Sequence, residues 1–313
     1  MANLDGRVGQ HAVEGVHMIG RREAAELLRR HMADHGITFT GELVDDGQIH
    51  RFYVKGDKHG SLNGWYYFFS DGIANGEFGS WRTGLQYKWC AKTAEDMTVV
   101  ERNEHRERLQ QVRQQRDSKR RQRQQEAADQ ALMLWNKAVD ADSSHSYLVR
   151  KSIQPQHLRQ HGDYLLVPMI DTEGRLWNLQ RIYMDGSKRF LPGGRVKGCF
   201  TLLGELTDGL LYVCEGLATG ATIHQQSGHP TACAMNAGNL LPVCTALADP
   251  MRQLTVCADN DHQTNGNPGI SKGREAAAAV GAALTWPEPC GPECICTDFN
   301  DLAHCSKTQE VAA

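Results

Sequence analysis

The sequence predicts an α/β core in its carboxy-terminal third. A largely parallel sheet with flanking helices is preceded by a β-rich basic subdomain and, at the amino end, by a small α+β module. Three observations carry this prediction. Short apolar runs alternate with helical stretches from 210 to 287, the pattern of strands joined by crossover helices. Two of those runs, LLYVC (210–214) and LTVCA (254–258), stop at acid, the first at Glu215 and the second at Asp259, Asn260 and Asp261. Residues 47–89 instead are rich in glycine and aromatics, with β runs between turn signals.

Taken in order, residues 21–34 have helical spacing, with Leu27, Leu28 and Met32 toward one side. The runs HRFYV and WYYFF then read as strands of a small antiparallel module. Its core is thin, so packing falls to Trp65, Tyr66, Phe68, Phe78, Trp81 and Trp89. Residues 101–126 carry nine Lys or Arg against five Asp or Glu and lack Gly and Pro. This is a solvated helix or charged linker, serving as a spacer or as a phosphate contact. Domain boundaries are expected at 1–97, 98–135, 136–207 and 208–313.

An amphipathic helix returns at 127–139, and SHSYLVRKSI opens a new unit. YLLVPMID (164–171), EGRLWNLQRIYM (173–184) and KRFLPGG (188–194) form a β-rich meander between turns. Helical stretches ATGATIHQQSG, LLPVCTALADP and ISKGREAAAAVGAAL then separate the strands of the α/β core.

An apolar run ending in carboxylates places negative charge at the carboxyl edge of a sheet, where α/β folds bind ligands. Asp259 and Asp261 are two apart and share a face if the strand continues. Three converging carboxylates repel one another unless a hard cation joins them, and Mg²⁺ takes oxygen ligands and shares them with phosphates. The competing reading is a turn or helix cap. Asp298 and Asp301 of TDFNDL are candidates for a further ligand or for a cap and first-turn acid. Asn236 and Asn239 either cap a helix or bond substrate.

The glutamate-glycine after one strand and the D-x-D after another resemble the Toprim domain of primases, topoisomerases and related nucleases. EGLATGATIH, AMNAGNLLPV (234–243), CADNDHQTNGNPGISKGREAA (257–277) and TDFNDLAH (297–304) narrow the resemblance to the TraC-type primases of conjugative plasmids and phages. It covers most of 140–305. It implies a DNA primase making short primers on single-stranded DNA by nucleotidyl transfer. The catalytic acids would be Glu215, Asp259 and Asp261, holding Mg²⁺ or Mn²⁺ with Asp298. By the same resemblance LQRIYMDGSKRFLPGGRVKGCF is a basic β subdomain, and Arg181, Lys188, Arg189, Arg195 and Lys197 contact nucleotide or template. Thr219 stands where the replicative bacterial primase has an acid. A metal-dependent Toprim nuclease and a non-catalytic single-strand binder are the rival readings.

Composition sets further bounds. Net charge is −3, so nucleic-acid contact must use local patches. Neither a membrane-length apolar run nor a signal-peptide pattern is present, and a cytoplasmic protein is expected. No P-loop occurs, so a replicative helicase acts in trans. Only Cys90 precedes Cys199, which excludes an amino-terminal zinc ribbon. The module at 41–90 would then meet template without metal, through Trp65, Tyr66 or Trp81 stacking on bases. Cys290, Cys294 and Cys296, with His304 and Cys305 beyond, lack standard ribbon spacing and are expected to be thiols of a loop rather than zinc ligands.

Overall fold

Ala24, Leu28 and Met32 recur every fourth residue and form the buried stripe of α1 (Arg21–Asp34). In the computed structural model, which describes residues 20–93, 95–291 and 293–305, that stripe packs on an antiparallel sheet. Its strands are β1 (His50–Phe52), β2 (Gly64–Phe69), β3 (Asn75–Ser80) and β4 (Gln86–Cys90), in chain order. Tyr66, Phe68 and Phe78 are fully buried and fill this core with Leu43, Phe52 and Val54. Trp81 departs from the expectation of packing. It is 56% exposed and stacks on Trp65 with ring centroids 5.3 Å apart.

The charged run folds as α2 (Val99–Lys137), 39 residues long, whose buried residues are Ala127, Ala128 and Ala131. Within this helix the chain divides into two compact units, Met1–Asp117 and Ser118–Ala313.

In the second unit a meander comes first. Its strands are β5 (Val139–Asp140), β6 (Arg159–His161), β7 (Tyr164–Ile170), β8 (Leu176–Tyr183) and β9 (Lys188–Phe190), paired antiparallel in chain order. The short helix α3 (Ser146–Lys151) lies between β5 and β6. Strand alternation sorts the side chains to two faces. Leu165, Val167 and Ile182 join one core with Tyr147 and Leu148 of α3. Leu166, Leu179 and Leu191 join another with Ala131 of α2.

The second sheet contains β10 (Thr201–Leu203), β11 (Gly209–Cys214), β12 (Thr231–Cys233), β13 (Arg252–Cys257) and β14 (Ala283–Thr285). Their spatial order is β10-β12-β11-β13-β14, with β10 antiparallel to β12 and all other pairs parallel. Helix α4 (Leu217–Ser227) contributes to the core that holds Cys214, Cys233 and Cys257, and that core continues into the meander. On the other face, Val243 and Leu247 of α5 (Leu240–Leu247) and Ala276 and Ala277 of α6 (Pro268–Val280) cover Leu211, Val213 and Val256. A last short helix, α7 (Phe299–Ala303), follows the loop after β14. Gly220 lets α4 lie close on the sheet, because a Cβ there would sit 2.2 Å from the Cys233 sulfur and 3.0 Å from that of Cys214. No helix among the described residues is long and apolar enough to cross a membrane.

Candidate active site

The order of strands fixes where the acids meet. From β11 the chain crosses to β12 on one side. It then returns past β11 to β13 and β14 on the other side. The crevice at the carboxyl ends of β11 and β13 is therefore a topological switch point, the usual ligand site of an open α/β sheet. Cys214 pairs with Cys257 in register. Glu215 leaves the end of β11 next to the turn that carries Asp259 and Asp261.

The chain braces this turn through asparagines and one glycine. Asn260 is buried. Its backbone N–H donates to the Thr297 carbonyl at 2.6 Å and its side chain to the Pro287 carbonyl at 3.0 Å. Asn267 precedes Pro268 at the start of α6 and accepts from the Ile270 N–H. Its oxygen also accepts from the Asp261 N–H at 2.9 Å, and its amide donates to Asn260 at 2.8 Å. The Gly269 N–H donates to the Asp261 carboxylate at 3.0 Å. A Cβ on Gly269 would meet the Asp259 carbonyl oxygen at 2.3 Å, so only glycine allows this approach.

Asp298 caps α7, its Oδ1 accepting from the Asp301 N–H at 2.8 Å. Its charge still reaches the cluster and raises both Glu215 and Asp259. The cap and the contribution to the acid centre thus coexist. Asp301 does not join the centre. It accepts from Lys151 at 3.0 Å. Asn300 is buried and donates to the Lys151 carbonyl at 2.7 Å and to the Thr222 hydroxyl at 2.9 Å, fastening α7 to α3 and α4.

Electrostatics single out Asp259. Burial, then the charges of Glu215, Asp298 and Asp261, push its carboxyl up to about 8. Its Oδ1 is buried with no hydrogen-bond donor. Burial also raises Glu215, helped by Asp261 and Asp298 and opposed by a hydrogen bond from the Ala237 N–H and by Lys188. A buried orphan oxygen among four carboxylates fits a hard divalent cation, which supplies the missing partner and removes the repulsion.

The five basic residues are not brought together. Lys188 pairs with Ile182 across β8 and β9 and so shares the face of the meander turned toward the acids, although on the edge strand β9 the residue itself is exposed. Its ammonium is 5.6 Å from the Tyr147 ring centroid. Burial and then the charge of Lys151 pull its pKa down, while Asp298, Asp259 and Glu215 oppose them. Arg181 and Arg189 pair with each other, one residue out of phase with Lys188, and so share the opposite face. Arg195 lies 4.0 Å from Asp171 and its guanidinium is 5.0 Å from the Trp177 centroid. Lys197 is exposed, and its carbonyl accepts from Arg195.

Asn236 and Asn239 provide no side-chain cap, contrary to one of their expected roles. Asn239 is buried and ties the segment entering β10 to the end of β12. It accepts from the Gly198 N–H and donates to the Cys199 and Ala234 carbonyls, each at 2.8 Å. Sequence reasoning missed Asn260, Asn267 and Lys151. An asparagine followed by proline at a helix start was a legible capping signal for Asn267. Nothing local marked the other two.

Residues 210–308 match the Toprim domain family. Two DNA primase TraC proteins of Escherichia coli are similar to most of the chain. One is 33% identical over 78% of it and the other 32% identical over 88%. The chain spans only 24% and 20% of the length of these relatives. Among solved structures, the primase fragment of the bacteriophage T7 primase-helicase protein aligns over 56% of this chain and 78% of its own, at 15% identity and a TM-score of 0.40. The acids of the sheet thus lie within the segment that matches the Toprim domain family, in a chain that is similar to DNA primase TraC over most of its length.

Proposed function

We propose that this chain is a DNA primase, a template-directed nucleotidyl transferase that makes short primers on single-stranded DNA. The observation that carries the reading is the buried acid centre at the switch point, with the orphaned Asp259 Oδ1 and the nearby Lys188 ammonium. Glu215, Asp259 and Asp261, with Asp298 beside them, would hold Mg²⁺ or Mn²⁺. Such ions, when bound, activate an attacking hydroxyl and stabilise the leaving oxygen of phosphoryl transfer. The chain's own part is positioning and charge. Asn260, Asn267 and Gly269 hold the Asp259–Asp261 turn in one geometry. Lys188 approaches the acids from the meander and would neutralise the phosphates of an incoming nucleotide. Arg181 and Arg189 stand opposite each other on the far face, a like-charge pair that is unfavourable alone and is relieved by a phosphate. We assign these two to the template backbone, with Arg195 and Lys197 at the rim.

In the amino-terminal unit, Trp81 offers an exposed indole backed by Trp65, a platform on which a single-stranded base can stack. A replicative helicase is the proposed partner.

The test is primer synthesis on single-stranded DNA with labelled nucleoside triphosphates, each omitted in turn, resolved on a denaturing gel. Template-dependent products that need Mg²⁺ or Mn²⁺ support the reading. Shortening of labelled DNA without incorporation indicates a nuclease. Binding with neither indicates a non-catalytic single-strand binder.

A further inference from the structure

The loop from β14 to α7 carries the one feature that the acid centre leaves unexplained. The spacing of Cys290, Cys294 and Cys296 does not suggest a site. The fold changes this by returning Cys305 from beyond α7. The Cys290 sulfur lies 3.2 Å from that of Cys294 and 3.2 Å from that of Cys305, and the three sulfurs are mutually within 4.8 Å. Cys296 is buried beside them, its thiol also directed to the Asp301 carbonyl at 3.6 Å. The other five cysteines of the second unit, Cys199, Cys214, Cys233, Cys244 and Cys257, are all buried in the apolar cores.

We propose that Cys290, Cys294, Cys296 and Cys305 bind one structural zinc ion that ties the β14–α7 loop to the end of α7. Tetrahedral thiolate sites have Zn–S bonds of about 2.3 Å, which puts the sulfurs about 3.8 Å apart. The Cys290, Cys294 and Cys305 sulfurs meet that by opening their two short contacts slightly, and Cys296, buried two residues from Cys294, completes the set by turning its thiol from the Asp301 carbonyl. A disulfide explains less. Cys290 is equidistant from two partners, and any single pairing leaves two thiols stranded.

The site also has a structural task. The loop it closes holds the Asp259–Asp261 turn from outside the sheet. The Thr297 and Pro287 carbonyls receive the two Asn260 donors, and the Cys294 carbonyl is 3.1 Å from His262 Nε2. Asp298 stands in the same stretch, between Cys296 and α7. Zinc would therefore position the acids without touching substrate. This inference stands apart from the primase reading, because zinc is measured whether or not primers are made.

The experiment uses the full chain, purified without chelator from zinc-supplemented medium. Elemental analysis is expected to give about one zinc per chain, released by a mercurial thiol reagent. Cobalt replacement should give the intense visible bands of a tetrahedral thiolate site. Cys294→Ser and Cys305→Ser should each lose the zinc, whereas Asp259→Ala should keep it, which separates this site from the acid centre. Wild-type protein with no zinc and no cobalt bands would overturn the proposal. So would a mass lower by two hydrogens that reverts on reduction, the sign of a disulfide. Retention of full zinc in Cys305→Ser would overturn the assignment of the fourth arm.

Discussion

At Asp259 burial and charge act against each other. Below its ordinary value near 3.8 the carboxyl is protonated in folded and unfolded chains alike, and above about 8 it is ionised in both. Between those limits the folded chain holds a proton that the unfolded chain has released. Its contribution to metal-free stability is therefore fully present below the lower limit and is lost as pH rises toward about 8. A divalent ion must displace that proton, so its binding tightens with pH. Mg²⁺ should raise the melting temperature more at alkaline pH than at mildly acidic pH, as scanning fluorimetry with and without the ion will show. Asp259→Asn should abolish synthesis, raise the metal-free melting temperature at alkaline pH and remove the Mg²⁺ increment. An unchanged Mg²⁺ increment in that variant would sink the assignment. Lys188 gives a second residue-scale prediction. Loss of one hydrogen bond to a charged group costs about 1.5–3 kcal/mol, so Lys188→Ala should lower efficiency about tenfold or more through nucleotide affinity. Arg189→Ala, on the other face, should leave nucleotide affinity unchanged. It should instead reduce the salt slope of template binding by about 1. Kinetics and binding at two salt concentrations separate the two outcomes.

At the scale of elements, the acid turn depends on the start of α6 as much as on its own residues. In Gly269→Ala the new methyl would sit 2.3 Å from the Asp259 carbonyl oxygen and 3.0 Å from the Asp261 carboxylate. Backbone is the obstacle, so the turn must move. Synthesis should fall far more than thermal stability, measured by primer yield against circular dichroism melts. A uniform loss of both would mean that the glycine serves only packing. These dependences explain what the sequence made legible. An apolar run stopping at acid announces itself locally, so LLYVC and LTVCA match β11 and β13 to within two residues. The acids at their ends follow from strand direction alone. Side-chain face in the meander does not. It is set by the register across the Asp185–Ser187 turn, and a slip of one residue would exchange Lys188 for Arg189. For the same reason five clustered cations read as one surface when the fold sends them to different places. The role of Asn239 was equally hidden, because its three partners come from Gly198, Cys199 and Ala234, two of them about 40 positions away.

At the scale of the whole molecule, each unit carries its own core. The cluster around Leu28, Phe68 and Phe78 lies wholly before residue 92, and the three other clusters lie wholly after residue 130. Between them α2 buries nothing before Ala127. Residues 99–126 are held by surface contacts instead, Arg108 to Asp71 and Arg116 to the Gly47 carbonyl and the Tyr67 ring, and helix propensity alone is a weak stabiliser over such a length. Their many Lys and Arg are targets for a trypsin-like protease once the helix frays. Limited digestion should cut within this stretch first and leave two resistant fragments. Unfolding of the intact chain should show two transitions, because separate cores need not melt together. The carboxy-terminal fragment keeps Glu215, Asp259, Asp261, Asp298 and Lys188. It should retain the Mg²⁺-dependent shift in melting temperature and extend a supplied oligonucleotide, while losing affinity for single-stranded template. The amino-terminal fragment should bind single-stranded DNA with quenching of tryptophan fluorescence that Trp81→Ala reduces. Isolated fragments measured side by side decide the division of labour. A carboxy-terminal fragment that binds template as tightly as the intact chain would leave the amino-terminal unit without a role in template choice.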